Sequence, residues 1–247
     1  MLTNERQNLI MNMLRKSGAA TVSELARALY VSDATIRRDL SEMQSLGLLR
    51  RSHGGAVLLE AADEVSMLVR MTENAQEKAQ AARKAARHIP SDFKTVFLDS
   101  SSTVLALAQQ MNLSDKTVIT NSLQTASSLA RIRGINLIVL GGVVSARGNS
   151  VSGSWTKALI SDFRFDLMLS SCAALDTVCS YETSLDQREI KRAAFERSAH
   201  HVLLADHTKF DSAGAYRFED LTAFEMIVFD KLPEERRAAL SHLHIVV

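Results

Sequence analysis

The 247-residue chain is predicted to be an α/β protein in two parts, an N-terminal winged helix-turn-helix and a doubly wound, mostly parallel α/β domain. Three observations predict it. Helical patterns in residues 3–47 end in two brief apolar runs around His53-Gly54-Gly55. After Pro90, short apolar runs alternate with segments of helical length, as in strands joined by crossover helices. The charge divides the same way. Residues 1–57 hold eight Lys/Arg against five Asp/Glu, net +3, and the remainder holds 21 against 23, net −2. A basic head on a slightly acidic body points to nucleic acid at the head.

In the head, "TNERQNLIMNMLRK" sets Leu9, Ile10, Met13 and Leu14 at helical spacing, and Ser17-Gly18 ends that helix. Thr21 precedes Glu24 by three residues, the capping-box spacing, and Val22, Leu25, Ala26 and Leu29 line one face. After a break at Tyr30-Val31, Ser32 caps "DATIRRDLSEMQSLG", which Gly47 closes. Ile36, Leu40 and Met43 form its inward face. "LLRRSHGGAVL" reads as a small hairpin, the wing.

Helix two, a tight break and helix three make a helix-turn-helix, whose third helix presents its outer face to the major groove. Thr35, Arg37 and Arg38 lie on that face, with Ser32 at its start. Arginines bond guanine edges or phosphates, and threonine reads edges through its hydroxyl and methyl. Asp39 is badly placed against phosphate and is assigned a local role, orienting an arginine. Arg50, Arg51 and His53 on the wing suit phosphate or minor-groove contact, with plain solubilising charge as the alternative.

Residues 57–77 read as a polar linker running into a helix that continues through "KAQAARKAARHI" and ends at Pro90. The expected division is 1–57 for the head, 58–77 for the linker and first helical start, and 78–247 for the α/β domain. Its strands are "TVFLDS", "TVIT", "NLIVLGG", "FDLMLSS", "HHVLLAD", "MIVFD" and "HLHIVV". Ligands of such sheets bind at the carboxyl ends of the strands. There "LDSSST" supplies Asp99, Ser100, Ser101, Ser102 and Thr103, either a phosphate seat at a helix start or simple serine capping. Thr120, Asn121 and Ser122 end the next run, Gly141 and Gly142 the third. Asp176, Asp206 and Lys209 complete the candidates, Lys209 neutralising a ligand phosphate or serving the surface. Glu189 with Lys191 and Arg192 reads as a structural ion-pair network.

Other chemistries find no pattern. The glycines form neither a dinucleotide fingerprint nor a P-loop, so no cofactor is expected. The histidines show no metal-ligand spacing, and Cys172 and Cys179 read as buried bystanders. There is no apolar run of about 18 residues and no signal-peptide core, so a cytoplasmic protein without membrane contact is expected.

Residues 21–58, "TVSELARALYVSDATIRRDLSEMQSLGLLRRSHGGAVL", closely resemble the N-terminal domain of the DeoR family of bacterial transcription regulators. The likeness continues in weaker form through the rest of the chain. It implies a C-terminal effector-binding α/β domain related to sugar-phosphate isomerases. It also implies a repressor, homodimeric or homotetrameric, whose grip on a double-stranded DNA operator changes with a small phosphorylated metabolite. The chain departs from the family at Asp99-Ser-Ser-Ser-Thr, where members carry Asp-x-Gly-Thr-Thr, and at Ser171, Ala174 and Ser180, where they carry glycines. Side chains at those positions imply a narrowed or reshaped pocket with an atypical ligand. The competing functions are a sugar-phosphate isomerase or deaminase with an appended head, using Asp99, Asp176, Glu182 or Asp206, and a DNA-binding protein without a ligand. No motif secures catalysis, so no enzyme activity is expected.

Overall fold

The computed structural model describes residues 3–45, 48–52, 54–57, 66–145 and 148–247. It comprises two compact units, Met1–Val69 and Arg70–Val247. Gly47, His53 and most of the expected linker lie outside the described residues.

In the first unit, α1 (Thr3–Ser17) leads through β1 (Ala19–Thr21) into α2 (Val22–Leu29) and α3 (Asp33–Ser45), then the hairpin β2 (Arg50–Ser52) and β3 (Gly55–Val57). Glu24 accepts from the Thr21 backbone at 2.7 Å while the Thr21 hydroxyl accepts from the Glu24 N–H at 3.2 Å, so the capping box forms. Tyr30 ends α2 in the left-handed region, φ 54°, its N–H donating to Ala26. Ser32 Oγ accepts from the Thr35 N–H at 3.2 Å, starting α3. Ile10, Leu14, Val22, Leu25, Ile36, Leu40 and Met43 close one small core. The three strands pair antiparallel in the order β1-β3-β2. Gly55 is required at this junction, because a Cβ there would stand 2.2 Å from the Ala20 carbonyl oxygen.

The second unit begins within α4 (Met67–Thr72), which spans the boundary between the units. α5 (Ala75–His88) follows after Asn74, whose φ of 50° breaks the helix, so the expected continuous helix is two. Ile89 is extended before Pro90, the conformation a following proline favours. The remaining elements are β4 (Thr95–Leu98), α6 (Ser102–Ala108), β5 (Thr117–Thr120), α7 (Leu123–Leu129), β6 (Asn136–Val139), β7 (Val143–Ser145), β8 (Ser150–Ser152), α8 (Ser154–Ser161), β9 (Phe165–Ser171), β10 (Ala174–Leu175), β11 (Cys179–Glu182), α9 (Leu185–Phe195), β12 (Ser198–Ala205), β13 (Tyr216–Asp220), β14 (Met226–Phe229), α10 (Glu234–Arg237) and β15 (Ile245–Val246).

Seven strands form one parallel sheet in the order β15-β14-β12-β9-β4-β5-β6. Successive strand residues point to opposite faces. Val96, Leu98, Leu167 and Leu169 pack with α5 and α6 through Ala82, Ala85, Val104 and Leu107. Phe97, Met168, Leu203 and Phe229 pack with α8 and α9 through Ile160, Ile190 and Ala194. Each apolar run of the sequence therefore serves two cores, which is why it lacks a polar alternation. The hairpin β7-β8 and the small sheet β10-β11-β13 were not anticipated from the pattern. Among the described residues no helix is long and apolar enough to cross a membrane.

The chain runs outward from β4 to β5 and β6, then returns to place β9 on the other side of β4. The strand order reverses between β4 and β9, which makes their carboxyl ends the switch point where such sheets bind ligands.

Candidate functional site

On α3, Ile36 and Leu40 are buried while Arg37 and Arg38 are exposed, as the period of the helix requires. Among the described residues neither guanidinium has a carboxylate partner, so both charges are turned to solvent. Thr35 is partly exposed and its hydroxyl lies 2.9 Å from that of Ser32. Arg50 and Arg51 are exposed on β2, and the Arg51 N–H donates to Gln44 Oε1 at 3.2 Å, tying wing to helix. Asp39 is buried and pairs with Arg6 of α1. Its role is local and it does hold an arginine, on α1 and away from the exposed face.

At the switch point, the buried Asp99 links both strands. Its Oδ1 accepts from the Ser101 N–H at 2.9 Å and the Ser101 hydroxyl at 2.5 Å, and its Oδ2 from the Ser171 N–H at 2.9 Å. Lys191 reaches in from α9, with Nζ 3.0 Å from Asp99, 2.5 Å from Glu182 and 2.6 Å from the Ser171 carbonyl. Burial alone would push the Lys191 ammonium down, but Asp99 and Glu182 outweigh it and hold it above its usual range. Burial raises the Glu182 carboxyl, opposed in part by Lys191.

One turn earlier on α9, Gln187 gathers the other strand ends. It accepts from the Ser100 hydroxyl at 2.8 Å and from Asn121 Nδ2 at 3.4 Å, and donates to Ser150 Oγ at 2.7 Å. Thr120 and Ser122 are spent on structure, Thr120 Oγ1 donating to the Leu98 carbonyl and Ser122 Oγ capping α7. Ser101 likewise caps α6, and Ser102 and Thr103 are buried in its first turn. At the end of β12, Asp206 caps the short 3-10 segment His207–Asp211, which carries Lys209. The charges of Asp206 and Lys209 both act on Lys78 of α5, whose ammonium is lowered to about 8, mainly by burial. Two buried acceptors, Asn121 Oδ1 and Asp206 Oδ2, have no hydrogen-bond partner among the described residues.

Comparison with known proteins decides the family. Residues 6–62 match the DeoR-like helix-turn-helix domain, and residues 73–231 match the DeoR C terminal sensor domain. The chain belongs to the DeoR family. It is similar to the HTH-type transcriptional regulator GolR of Listeria innocua, 37% identical over 83% of this chain and 82% of that one. It is also similar to the glycerol-3-phosphate regulon repressor of Escherichia coli, 31% identical over 94% and 93% of the two chains. A solved ribose 5-phosphate isomerase a of Methanocaldococcus jannaschii aligns at 12% identity over 56% of this chain and 55% of that one, with a TM-score of 0.39. The protein is a DNA-binding transcriptional regulator with a helix-turn-helix head and an α/β second domain.

In this DeoR-family regulator the expected site residues divide into groups. Ser100 and Asn121 meet with Ser150 around Gln187, and Asp99 meets Glu182 around Lys191, one turn further along the same helix. Asp206 and Lys209 join Lys78. Asp176 is elsewhere, accepting from the Val178 and Cys179 N–H groups and the Tyr181 hydroxyl in the β10–β11 turn. Gly142, φ 149°, allows close packing, since a Cβ there would meet Thr156 Oγ1 and the Ser152 carbonyl. None of the four departures from family glycines, Ser101, Ser171, Ala174 and Ser180, has a positive φ, so their backbone does not call for glycine. Lys78, Ser150 and Gln187 were missed, as was Arg70, whose Nη1 donates to the Ser100 carbonyl at 3.2 Å. The signal for Gln187 and Lys191 was a polar pair four residues apart on the buried face of α9, where Ile190 and Ala194 also lie.

Proposed function

We propose that this regulator represses transcription by seating α3 in the operator's major groove, and that a small phosphorylated polyol or sugar changes that grip. The observation that carries the DNA contact is the pair of exposed guanidinium groups, Arg37 and Arg38, without carboxylate partners among the described residues. Thr35 and Ser32 stand beside them, and Arg50 and Arg51 on the wing add phosphate contacts, with His53 assigned the same role from its place in the sequence. The effector's place is the switch point. Arg70, Lys78, Lys191 and Lys209 supply positive charge there against Asp99, Glu182 and Asp206. The unpartnered oxygens of Asn121 and Asp206 suit hydroxyl donors of a ligand. Ser100 to Thr103, Thr120, Ser122, Gly141, Gly142 and Asp176 stand as further ligand candidates.

The pocket binds without turnover in this reading, because Glu182 is held by Lys191 rather than turned to a substrate. The working assembly is an even-numbered oligomer, homodimer or homotetramer, matching operator half-sites one or more helical turns apart. The functional division follows residues 1–57, 58–77 and 78–247, in the cytoplasm.

The test is a thermal-shift panel of phosphorylated polyols and sugars, headed by glycerol 3-phosphate because the Escherichia coli relative is named for it. Each compound that shifts the melt is then added to an operator titration. A shift with a change in operator affinity is expected. The ligand reading fails if nothing shifts the melt, and turnover of a bound compound would restore the enzyme reading. A shift with an ordinary hexose or pentose phosphate would count against an atypical ligand.

A further inference from the structure

The hairpin β7-β8 and the helix that follows it turn apolar side chains to solvent. β8 is engaged on both sides, since it pairs with β7 and the Val151 N–H donates to the Asn121 carbonyl at 2.7 Å. β7 is therefore the outer strand, and among the described residues β8 is its only strand neighbour. It carries Val143, 71% exposed, and Val144, 56% exposed. Soluble proteins blunt such an edge with charge, or else pair or cover it.

α8 reverses the usual pattern of a surface helix. Its buried residues are Thr156 and Ile160, while Trp155, Ala158 and Leu159 are exposed. Their spacing of three and four residues places them on one stripe. Trp155 is 78% exposed and Leu159 40%. The stripe and β7 are parts of one surface. Val143 Cγ2 lies 3.6 Å from where a Cβ would stand on Gly153, directly before α8, and Leu159 Cδ1 lies 3.8 Å from the same point on Gly141, just ahead of β7. Single exposed apolar residues are ordinary, but a cluster around a tryptophan marks a contact surface.

The occupant that fits is a second copy of this chain. A twofold contact lays like on like, which a charged patch would resist. This patch is uncharged, because the lysine beside it, Lys157, is held by Glu189 of α9 at 2.7 Å. Its size also suits a dimer. Val143, Val144, Trp155 and Leu159 expose on the order of 400–500 Å² per copy, close to the apolar share of the roughly 800 Å² that each partner gives to a standard interface.

We propose that β7 and the Trp155 stripe of α8 form the self-association surface of the α/β unit, packed on the same face of a second copy across a twofold axis. This rests on the reading above that the working assembly is an even-numbered oligomer. Trp155 is the chain's only tryptophan, so its emission reports this face alone. Analytical ultracentrifugation and acrylamide quenching of the full-length chain are run over one dilution series. The associated wild type should shield Trp155, and dilution should expose it with a red shift of its emission. Val144→Lys should raise the dissociation constant about tenfold or more and leave Trp155 open at concentrations where the wild type shields it. Trp155→Glu should dissociate the chain to the same extent in the ultracentrifuge, and circular dichroism should show both variants folded. An oligomer whose Trp155 quenches freely, or one that either folded variant leaves intact, overturns this face and spares the oligomer. A wild type that stays monomeric at every concentration overturns both, and a shielded Trp155 in that monomer would assign the cover to another segment of the same chain.

Discussion

Arg6 on α1 and Asp39 on α3 form a two-pronged ion pair, Nε to Oδ2 at 2.5 Å and Nη2 to Oδ1 at 2.9 Å. The pair is nearly sealed from solvent, with side-chain exposures of 11% and 4%. It fixes the orientation of α3 from the helix at the start of the fold. Arg6→Ala leaves the Asp39 carboxylate buried without its partner. The head should lose about 2 kcal/mol of stability, read by chemical denaturation of the full chain. A variant as stable as wild type would show that the carboxylate finds another partner.

Arg37→Ala and Arg38→Ala should each weaken operator binding by about 1–3 kcal/mol and relax sequence preference if the side chain reads a base. Neither should move the melting temperature, because both side chains are exposed. Arg50→Ala and Arg51→Ala should instead weaken binding to all sequences and lower the salt dependence by about one counterion each. Fluorescence anisotropy at several salt concentrations separates the two classes.

Lys191→Met removes the cation between two buried carboxylates, Asp99 and Glu182. Breaking such a triad should cost about 3 kcal/mol or more at neutral pH. The pH dependence has a definite sign. Glu182 is already raised by burial and rises further without the ammonium. The unfolded chain releases that proton near 4.5 while the folded variant keeps it, so the variant should lose stability as pH rises past 4.5. Urea midpoints between pH 4 and 8 would read this, and a flat profile would argue against the buried triad.

Lys78 gives the opposite slope. Its ammonium titrates at about 8 in the folded chain against an ordinary value of 10.5. Between those values the unfolded chain holds a proton that the folded chain has released, so this group's contribution rises with pH. The full span is about 3 kcal/mol at most. Below pH 8 the folded chain bears the whole cost of a buried charge. Lys78→Met lacks the titrating group, so the stability of wild type relative to the variant should rise between pH 8 and 10, and a difference constant with pH would count against the lowered ammonium.

The head was legible almost residue by residue. The Thr21–Glu24 box, the break at Tyr30, the Ser32 cap and the inward Ile36, Leu40 and Met43 are local signals, and each formed as its spacing implied. The parallel sheet was legible because strands buried on both faces leave continuous apolar runs. The site was only partly legible. Asp99 and Asn121 stand at strand ends, where sequence position alone points to a site. Lys191 and Gln187 come from a helix that crosses those ends, and Arg70 and Lys78 from helices preceding the sheet, so their convergence is a product of topology. The hairpin β7-β8 was missed because two three-residue strands carry too little periodicity.

The pairing of Val96 with Leu167 in the middle of the sheet joins residues far apart in the chain, whereas Ala19 and Val57 close the head over a much shorter loop. A chain emerging from the ribosome completes the short loop first. The order of synthesis and the shorter closure both favour the helix-turn-helix unit forming ahead of the α/β unit.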